Sequence, residues 1–191
     1  MPSLSIITIC FNNLKDVIAT CKSVDEQLMM PFEHIIVDGS TTGEIREYLE
    51  GSVQPAYRRW ICERDNGIAD AFNKGIRNAK GEVTLLLNSG DELYDNTVLQ
   101  RVSKEFESDP SLMWCHGKLK MMRGGVWVVV GKAKWVGSIQ PVSASGQCVS
   151  CSTRVAVAHL ICVYCVVARS RSPLPKTAII TANLQAGKAD A

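Results

Sequence analysis

The amino-acid sequence predicts an α/β fold in which helices cover both faces of a mainly parallel central sheet. Short apolar stretches rich in β-branched residues alternate four times with stretches whose apolar residues recur at helical spacing. The strand-forming stretches are apolar along their length, which is typical of parallel strands that are buried on both faces. With 191 residues, of which 46% are hydrophobic and 21% charged, the chain is long enough to bury one sizeable core.

The first two strand–helix units are predicted near the N-terminus. SIITIC (5–10) predicts a buried strand, because it is apolar and is followed by the turn-forming residues Asn12 and Asn13. HIIVDGS (34–40) predicts a second strand that continues into an Asp-Gly-Ser loop. The helices that follow are predicted from apolar residues at helical spacing. These residues are Leu14, Val17, Ile18, Cys21 and Val24 in the first helix, and Ile45, Tyr48 and Leu49 in the second.

The next two units follow the same pattern. RRWICE (58–63) and residues 82–88 predict the third and fourth strands. Their helices carry apolar faces formed by Ile68, Phe72, Gly75, Ile76 and Ala79, and by Val98, Leu99, Val102 and Phe106. Beyond them, LMWCHGKLKMM and VWVVVGKAKWVG predict further strands joined by a Gly-Gly turn. We therefore expect one domain over residues 1–136 and an atypical tail over 137–191.

Polar and acidic residues stand where the predicted strands end. They are Phe11 and Asn12, Asp38, Glu63 to Asp65, and Asn88 to Asp91. Since ligands of open parallel sheets bind beyond the carboxyl ends of the strands, these residues are expected to surround one crevice. Neither G-x-G-x-x-G nor G-x-x-x-x-G-K-[ST] follows the first strand, so a dinucleotide fingerprint and a phosphate-binding loop are excluded there.

A rim of carboxylates suits a divalent cation that in turn holds a diphosphate. A nucleotide bound in this way needs a metal ligand, a carboxylate for its base or ribose, and an aromatic platform, which Asp91, Asp38 and Phe11 could supply. Taken alone, Asp38-Gly39-Ser40 is also compatible with an ordinary turn before a helix. Asp91-Glu92 is likewise compatible with the acidic start of the next helix.

Three stretches resemble a known family. SIITICFNN, IIVDGSTTG and ERDNGIADAFNKGIRNAKGEVTLLLNSGDE are similar to inverting glycosyltransferases of family 2, in particular to bacterial enzymes of capsule, O-antigen and colanic acid assembly. The resemblance covers about residues 3–109. It implies the GT-A fold, a Rossmann-like three-layer sandwich. It also implies an enzyme that transfers a hexose from a nucleotide-diphospho-sugar donor to a glycan or lipid-linked acceptor.

The resemblance also implies the site residues. The loop after the first strand would line the nucleotide base, Asp38 would hydrogen-bond it, and Asp65 and the two residues after it would face the ribose and phosphates. N-S-G-D at 88–91 stands in place of the family's metal-binding D-x-D, so that Asp91 would bind Mg²⁺ or Mn²⁺. The donor-binding residues implied are Phe11, Asn12, Asp38, Asp65, Asn66, Gly67, Asn88 and Gly90.

The general base of the reaction is not identified. An acceptor hydroxyl must lose its proton to a base, which in this family lies well beyond the D-x-D. Residues 110–189 contain no Asp or Glu. Residues 1–109 carry 18 acidic and 11 basic residues, a net charge of −7, whereas residues 110–191 carry one acidic and 10 basic residues, a net charge of +9. We interpret the tail as a truncated or frame-shifted acceptor region, which leaves a non-catalytic nucleotide-binding remnant or partner subunit as an alternative.

A third hypothesis is a zinc-stabilised interaction protein. CVSC (148–151) and CVYC (162–165) are two C-x-x-C pairs whose four thiolates could bind zinc, although buried free thiols explain them as well. The other cysteines, Cys10, Cys21, Cys62 and Cys115, are predicted to be core residues.

The sequence also bears on partners and location. Basic residues near two tryptophans predict a solvated or membrane-facing surface, and no nucleic-acid-binding motif accompanies them. They are Lys118, Lys120, Arg123, Lys132 and Lys134, with Trp127 and Trp135 nearby. No signal peptide is recognised, and the longest apolar run, Val155 to Ala168, has 14 residues, too few for a spanning helix. We expect a cytoplasmic protein, peripheral at the inner face of the membrane; whether it is a homo-oligomer is left open.

Overall fold

The computed structural model of the chain describes residues 1–110, 112, 114–116, 119–123, 126–130, 134–136 and 166–169. Four strands alternate with four helices, as predicted: β1 Leu4–Cys10, α1 Leu14–Asp25, β2 Glu33–Asp38, α2 Glu44–Gly51, β3 Arg58–Cys62, α3 Ile68–Asn78, β4 Val83–Asn88 and α4 Val98–Ser108. Five further strands follow: β5 Trp114–His116, β6 Leu119–Arg123, β7 Val126–Val130, β8 Lys134–Val136 and β9 Val166–Arg169. The C-x-x-C pairs lie outside the described residues.

Seven of these strands form one sheet in the order β3-β2-β1-β4-β9-β5-β8. β3, β2, β1 and β4 run parallel to one another. A crossover helix joins each of these strands to the one that follows it in the sequence, as parallel pairing requires. β9 pairs antiparallel with β4 and β5, and β8 pairs antiparallel with β5. β6 and β7 form a separate two-stranded antiparallel ribbon. β9 comes from the segment expected to be atypical, and the domain boundary at residue 136 stays a prediction.

The parallel part of the sheet has an apolar core on each face. Along β1, Leu4 and Ile6 pack with residues of α1 and α4, whereas Ile7 and Ile9 pack with α3. α3 can approach β1 closely because Gly75 has no side chain: a Cβ atom there would overlap Ile7 Cγ2. The predicted three-layer arrangement is therefore confirmed.

One buried polar network ties β1, β2 and β3 to α1. Arg58 Nε donates to His34 Nδ1 at 3.2 Å, and the Arg58 guanidinium also forms an ion pair with Asp25. Because the guanidinium is always charged, His34 Nδ1 must be unprotonated, and His34 Nε2–H then donates to Thr8 Oγ1 at 3.0 Å. Burial, followed by the Arg58 charge, lowers the pKa of His34 to about 3.

No helix in the described part of the chain has the length and apolar character needed to cross a bilayer.

Candidate functional site

The carboxyl ends of β1 and β4 lie side by side where the strand order reverses. The Ser89 backbone N–H donates to the Ile9 carbonyl at 3.1 Å, and Asn13 Nδ2 donates to Ser89 Oγ at 2.6 Å. Chains that leave such neighbouring strands in opposite directions open a crevice between their loops, which is where ligands of parallel sheets bind. The candidate site is therefore at this edge of the sheet.

Asn12 joins the loops that follow β1 and β2. Its φ of 52° is left-handed, a conformation that asparagine adopts more readily than most residues. Its backbone N–H donates to Ser40 Oγ at 2.8 Å, and its side-chain Oδ1 accepts from the N–H groups of Thr41 and Thr42 at 3.1 and 3.4 Å. Asn12 thus holds the rim of the crevice together, while the preceding residue, Phe11, exposes its ring.

Asp38 is a buried carboxylate at the end of β2. Its Oδ1 accepts the Ser40 backbone N–H at 3.0 Å, which is the turn chemistry of an Asx motif. The same oxygen faces the Cys10 thiol at 3.8 Å. Burial, followed by the Asp38 charge, raises the pKa of Cys10 above its usual range. The thiol therefore stays protonated beside the carboxylate.

Asp38 lines a cleft of about 180 Å³ beyond the ends of β2 and β3. The other lining residues are Ser40, Thr42, Gly43, Arg46, Cys62, Glu63 and Arg64. Sequence reasoning missed Arg46, whereas Arg64 lies in the segment 63–65 that is expected at this edge of the sheet. A signal for Arg46 exists, because it lies in the first turn of α2, where the helix dipole disfavours a cation. Cys62 was predicted to be a core residue, but it is half-buried and lines this cleft, whereas the Cys10, Cys21 and Cys115 side chains are buried as predicted.

Asp65 connects the loop after β3 to the loop after β2. Its Oδ1 accepts the Gly67 backbone N–H at 2.9 Å, and its other oxygen lies so close to Gly39 that a Cβ atom at residue 39 would overlap it. Gly67 has a φ of 102°, which glycine alone adopts readily. The Asn66 backbone N–H donates to Asp70 Oδ2 at 3.0 Å, and this hydrogen bond lowers the pKa of Asp70. The two residues before α3 thus donate their backbone N–H groups to the chain's own carboxylates.

The N-S-G-D segment forms the turn after β4. Asn88 is buried and its Nδ2 donates to Asp91 Oδ2 at 3.3 Å. Thr20 of α1 supports the turn, because its Oγ1 accepts the Gly90 N–H at 2.9 Å and donates to the Asp91 carbonyl at 2.8 Å. Gly90 has a φ of 91°, and a Cβ atom there would lie 3.4 Å from Asp16 Cγ. Asp16 is therefore a further acid beside the turn, which sequence reasoning missed because an acid in the first turn of a helix is common.

The donors of this turn suit a hard divalent cation. Mg²⁺ and similar ions take oxygen ligands and in nucleotide sites are held by one or two carboxylates together with phosphate oxygens. Among the described residues, no three His, Cys, Asp or Glu side chains converge to form a cage. Asp91, beside the Asn88 amide, fits a cation that is shared with a diphosphate ligand and does not fit a fully protein-bound ion.

A larger concavity, of about 500 Å³, lies on α4 between Met1, Gln100, Arg101, Lys104 and Glu107. It is away from the strand ends, and its lining is a solvated face of one helix. We therefore place the candidate site in the crevice, where every residue predicted for the donor and the metal lies in, or at the edge of, a loop after a strand. No general base is identified among the described residues.

Sequence comparison finds similar glycosyltransferases. The chain is 40% identical over 91 residues to an uncharacterised glycosyltransferase of Mycobacterium tuberculosis. The matched segment covers 47% of this chain and 34% of that protein. It is 33% identical over 113 residues to a PGL/p-HBAD biosynthesis glycosyltransferase of Mycobacterium bovis. This match covers 58% of this chain and 44% of that protein. The chain spans less than half the length of these relatives.

Solved structures share the fold. A mannosyltransferase from Pyrobaculum calidifontis, in complex with GDP-Man and Mn²⁺, superposes with a TM-score of 0.52 at 23% identity and covers 59% of this chain and 34% of that one. S. aureus TarS 1–349, in complex with UDP-GlcNAc, gives a TM-score of 0.51 at 20% identity and covers 57% and 32%. The predicted GT-A fold is confirmed.

The family profile of Glycosyl transferase family 2 matches residues 5–128. This match spans more than half of the chain and includes all four strand–helix units as well as the first strands after them. The chain therefore belongs to Glycosyl transferase family 2.

Proposed function

We propose that the chain binds a nucleotide-diphospho-sugar in the crevice and forms the donor-binding part of an inverting glycosyltransferase. Family membership supports this proposal, and the two structural neighbours were solved with GDP-Man and UDP-GlcNAc. The observation that carries it is the pairing of a buried carboxylate, Asp38, in a small cleft with a second carboxylate, Asp91, in the turn after β4. The acceptor would be a glycan or lipid-linked molecule of bacterial surface polysaccharide synthesis.

The cleft would hold the nucleotide base. Its volume of about 180 Å³ is smaller than a typical whole-ligand pocket, so it suits one part of a ligand. The Ser40 N–H holds one oxygen of Asp38, which orients the carboxylate to accept an N–H from a base. Phe11 would offer its exposed ring as an apolar platform, and Asn12 would fix the loops on either side.

The diphosphate would lie between the start of α3 and the turn after β4. Asp91 would hold Mg²⁺ or Mn²⁺, which supplies positive charge to a departing diphosphate. Asn88 orients the Asp91 carboxylate, and Gly90 lets the turn adopt its left-handed conformation. Asp65, Asn66 and Gly67 would face the ribose and phosphates. The backbone N–H groups of Asn66 and Gly67 would exchange their internal carboxylate partners for the ligand.

Transfer itself would be a single displacement. The acceptor oxygen forms a bond to the anomeric carbon while the bond from that carbon to the diphosphate oxygen breaks, and the hydroxyl proton passes to a base. Because residues 110–189 hold no Asp or Glu, we propose that this chain alone binds the donor and transfers sugar weakly or not at all. The same observation favours a second candidate function, a non-catalytic nucleotide-binding remnant or partner subunit.

Calorimetric titration tests the donor site. UDP and GDP are each titrated into the purified chain with and without Mn²⁺, and into Asp91→Asn and the neighbouring control Glu92→Gln. Binding that depends on Mn²⁺, is lost in Asp91→Asn and persists in Glu92→Gln supports the proposal. If neither UDP nor GDP binds a chain that circular dichroism shows to be folded, the proposal is contradicted.

Acceptor-dependent release of nucleoside diphosphate separates the two candidate functions. A remnant releases none above its hydrolysis background, whereas an intact transferase releases it in proportion to acceptor. Bound zinc, measured in protein purified without chelator, tests the separate hypothesis based on the C-x-x-C pairs.

We place the enzyme in the cytoplasm, in peripheral contact with the inner face of the membrane. A lipid-linked acceptor would be presented there, and the basic character of residues 110–191 supports this location.

A further inference from the structure

The β6–β7 ribbon carries an exposed apolar surface that the donor site does not use. Its described side chains are largely open to solvent: Trp127 is 58% exposed, and Val126 and Val129 are each 63% exposed. Tyr94, in the loop between β4 and α4, is 70% exposed. We call Tyr94, Lys120, Trp127 and Val129 the ribbon patch. Isolated exposed hydrophobic residues are ordinary, but three exposed apolar side chains around one lysine need an explanation.

Lys120 links the ribbon to the loop. The strand register pairs Lys120 with Val129 and Met122 with Trp127, so Lys120, Trp127 and Val129 share one face of the ribbon. Lys120 Nζ lies 5.2 Å from the centroid of the Trp127 ring and 5.5 Å from that of Tyr94, within cation–π range of both. The patch is therefore one surface that presents a cation between two aromatic rings.

The patch is attached to the crevice through a well-held loop. Leu93 is buried, and its backbone N–H donates to Ser23 Oγ of α1 at 3.2 Å. Tyr94 follows directly, and only two residues lie between it and Asp91, so the two Cα atoms are about 10 Å apart at most. Whatever binds the patch is consequently held near the turn proposed to bind the donor.

The chemistry of the patch favours one class of partner. A carbohydrate platform needs hydrogen-bonding side chains around its rings, whereas here an exposed valine, Val129, lies on the same face of the ribbon as Trp127. A two-stranded ribbon outside the main sheet is marginally stable by itself, so a surface that supports it is expected. Residues 110–136 contain five basic residues and no acidic one, which makes this part of the chain complementary to an anionic surface. Tryptophan, tyrosine and lysine together are typical of the interface of a lipid bilayer.

We propose that the ribbon patch binds the surface of a bilayer containing anionic phospholipid. Trp127 and Val129 enter the headgroup region, while Lys120 remains at the level of the lipid phosphates. The inference extends the proposed function, from which it takes the lipid-linked acceptor, by assigning the membrane contact to named residues. It makes the loop bearing Asp91 the part of the donor site nearest the membrane.

Vesicle co-sedimentation tests this assignment. The full chain is mixed with vesicles of phosphatidylcholine alone or of phosphatidylcholine with phosphatidylglycerol, without nucleotide. We expect binding to the anionic vesicles that weakens as salt is added. Lys120→Gln should lower the partition coefficient roughly fivefold, and Trp127→Ser should lower it at least as much. Val129→Ser provides a second variant should Trp127→Ser fail to fold.

The control is Val53→Ser, which removes a fully exposed valine in the loop between α2 and β3 and should bind vesicles like the parent chain. Nucleotide titration of the same variants keeps the two proposals apart, because a chain can lose vesicle binding and still bind nucleotide, or the reverse. Vesicle binding that survives both Trp127→Ser and Val129→Ser overturns the assignment. So does a dimer, seen by sedimentation velocity, that Trp127→Ser dissociates, because the patch would then be a contact between two copies of the chain.

Discussion

Residues 1–109 and the ribbon that follows them bury their strands in different ways. In the first region, both faces of β1, β2 and β4 are covered by helices, and the sheet ends in loops rich in acidic residues. In the second, β6 and β7 pair only with each other, expose valine and tryptophan, and lie in a stretch without acidic residues. The first region therefore carries its own core, whereas the ribbon leaves apolar side chains exposed to solvent.

The largest expected difference is in the cost of removing an aromatic ring. Phe106→Ala, in the core between α4 and the sheet, should lower the free energy of unfolding by about 3–5 kcal/mol, because it leaves a cavity. Trp127→Ala, on the ribbon, should cost about 0.5 kcal/mol or less, as expected for an exposed site. Urea unfolding of both variants measures the difference. Equal costs would show that the ribbon is part of the core.

A smaller effect is expected where the loops of the first region touch. In Gly39→Ala the new methyl group must displace the Asp65 carboxylate, so we expect a loss of about 1–3 kcal/mol in the free energy of unfolding. Nucleotide affinity should fall about tenfold, equivalent to about 1.4 kcal/mol, because the rim of the cleft moves.

Gly51→Ala is the matched control, since a Cβ atom at residue 51 meets no other atom within 4 Å. It should leave affinity unchanged and stability unchanged or slightly raised. Calorimetry and urea unfolding of both variants check the pair. Unchanged affinity in Gly39→Ala would mean that Asp65 does not shape the nucleotide site.

Stability of the first region should also depend on pH through His34. Its pKa is lowered to about 3 in the folded chain, so on acidification the unfolded state takes up a proton first, near pH 6.5. The contribution is fully present above pH 6.5 and is lost as pH falls towards 3. Between pH 7 and 5 the free energy of unfolding should fall by up to about 2 kcal/mol.

His34→Gln isolates this effect, because it removes the titrating group. The variant should be less stable at pH 7 than the parent chain, but its unfolding free energy should change less between pH 7 and 5. Urea unfolding at several pH values makes the comparison. The carboxylates whose pKa values are lowered, such as Glu33 and Asp95, lose their contribution only at lower pH. If the free energy of unfolding falls equally with pH in the parent chain and in His34→Gln, His34 is excluded as the source of the pH dependence.

The smallest expected effect is that of Lys120 on stability. Because its cation–π contacts are at the surface, Lys120→Gln should change the free energy of unfolding by about 0.5 kcal/mol or less. A larger loss, seen in urea unfolding without vesicles, would mean that Lys120 stabilises the fold and would argue against a separate role for the ribbon.

The sequence alone predicts the alternation of strands and helices in the first region. Uninterrupted apolar stretches predicted β1 at 5–10 and β4 at 82–88, and the structure has them at Leu4–Cys10 and Val83–Asn88. It also determined that polar residues stand at the strand ends, since Asn12, Asp38 and Asp91 can be read from position alone. These features follow from local periodicity, because burial on one or two faces repeats every two residues in a strand and every 3.6 in a helix.

Only the tertiary structure decided which of these residues meet. The strand order brings β1 beside β4, and helix packing sets Asp16 beside Gly90. The contact of Gly39 with Asp65, the place of Arg46 in the cleft and the insertion of β9 next to β4 were likewise invisible in the sequence. Such contacts join residues far apart along the chain, and no local pattern records the direction in which a connection crosses the sheet. Periodicity sets what each segment becomes, whereas packing of the whole core sets which segments are neighbours.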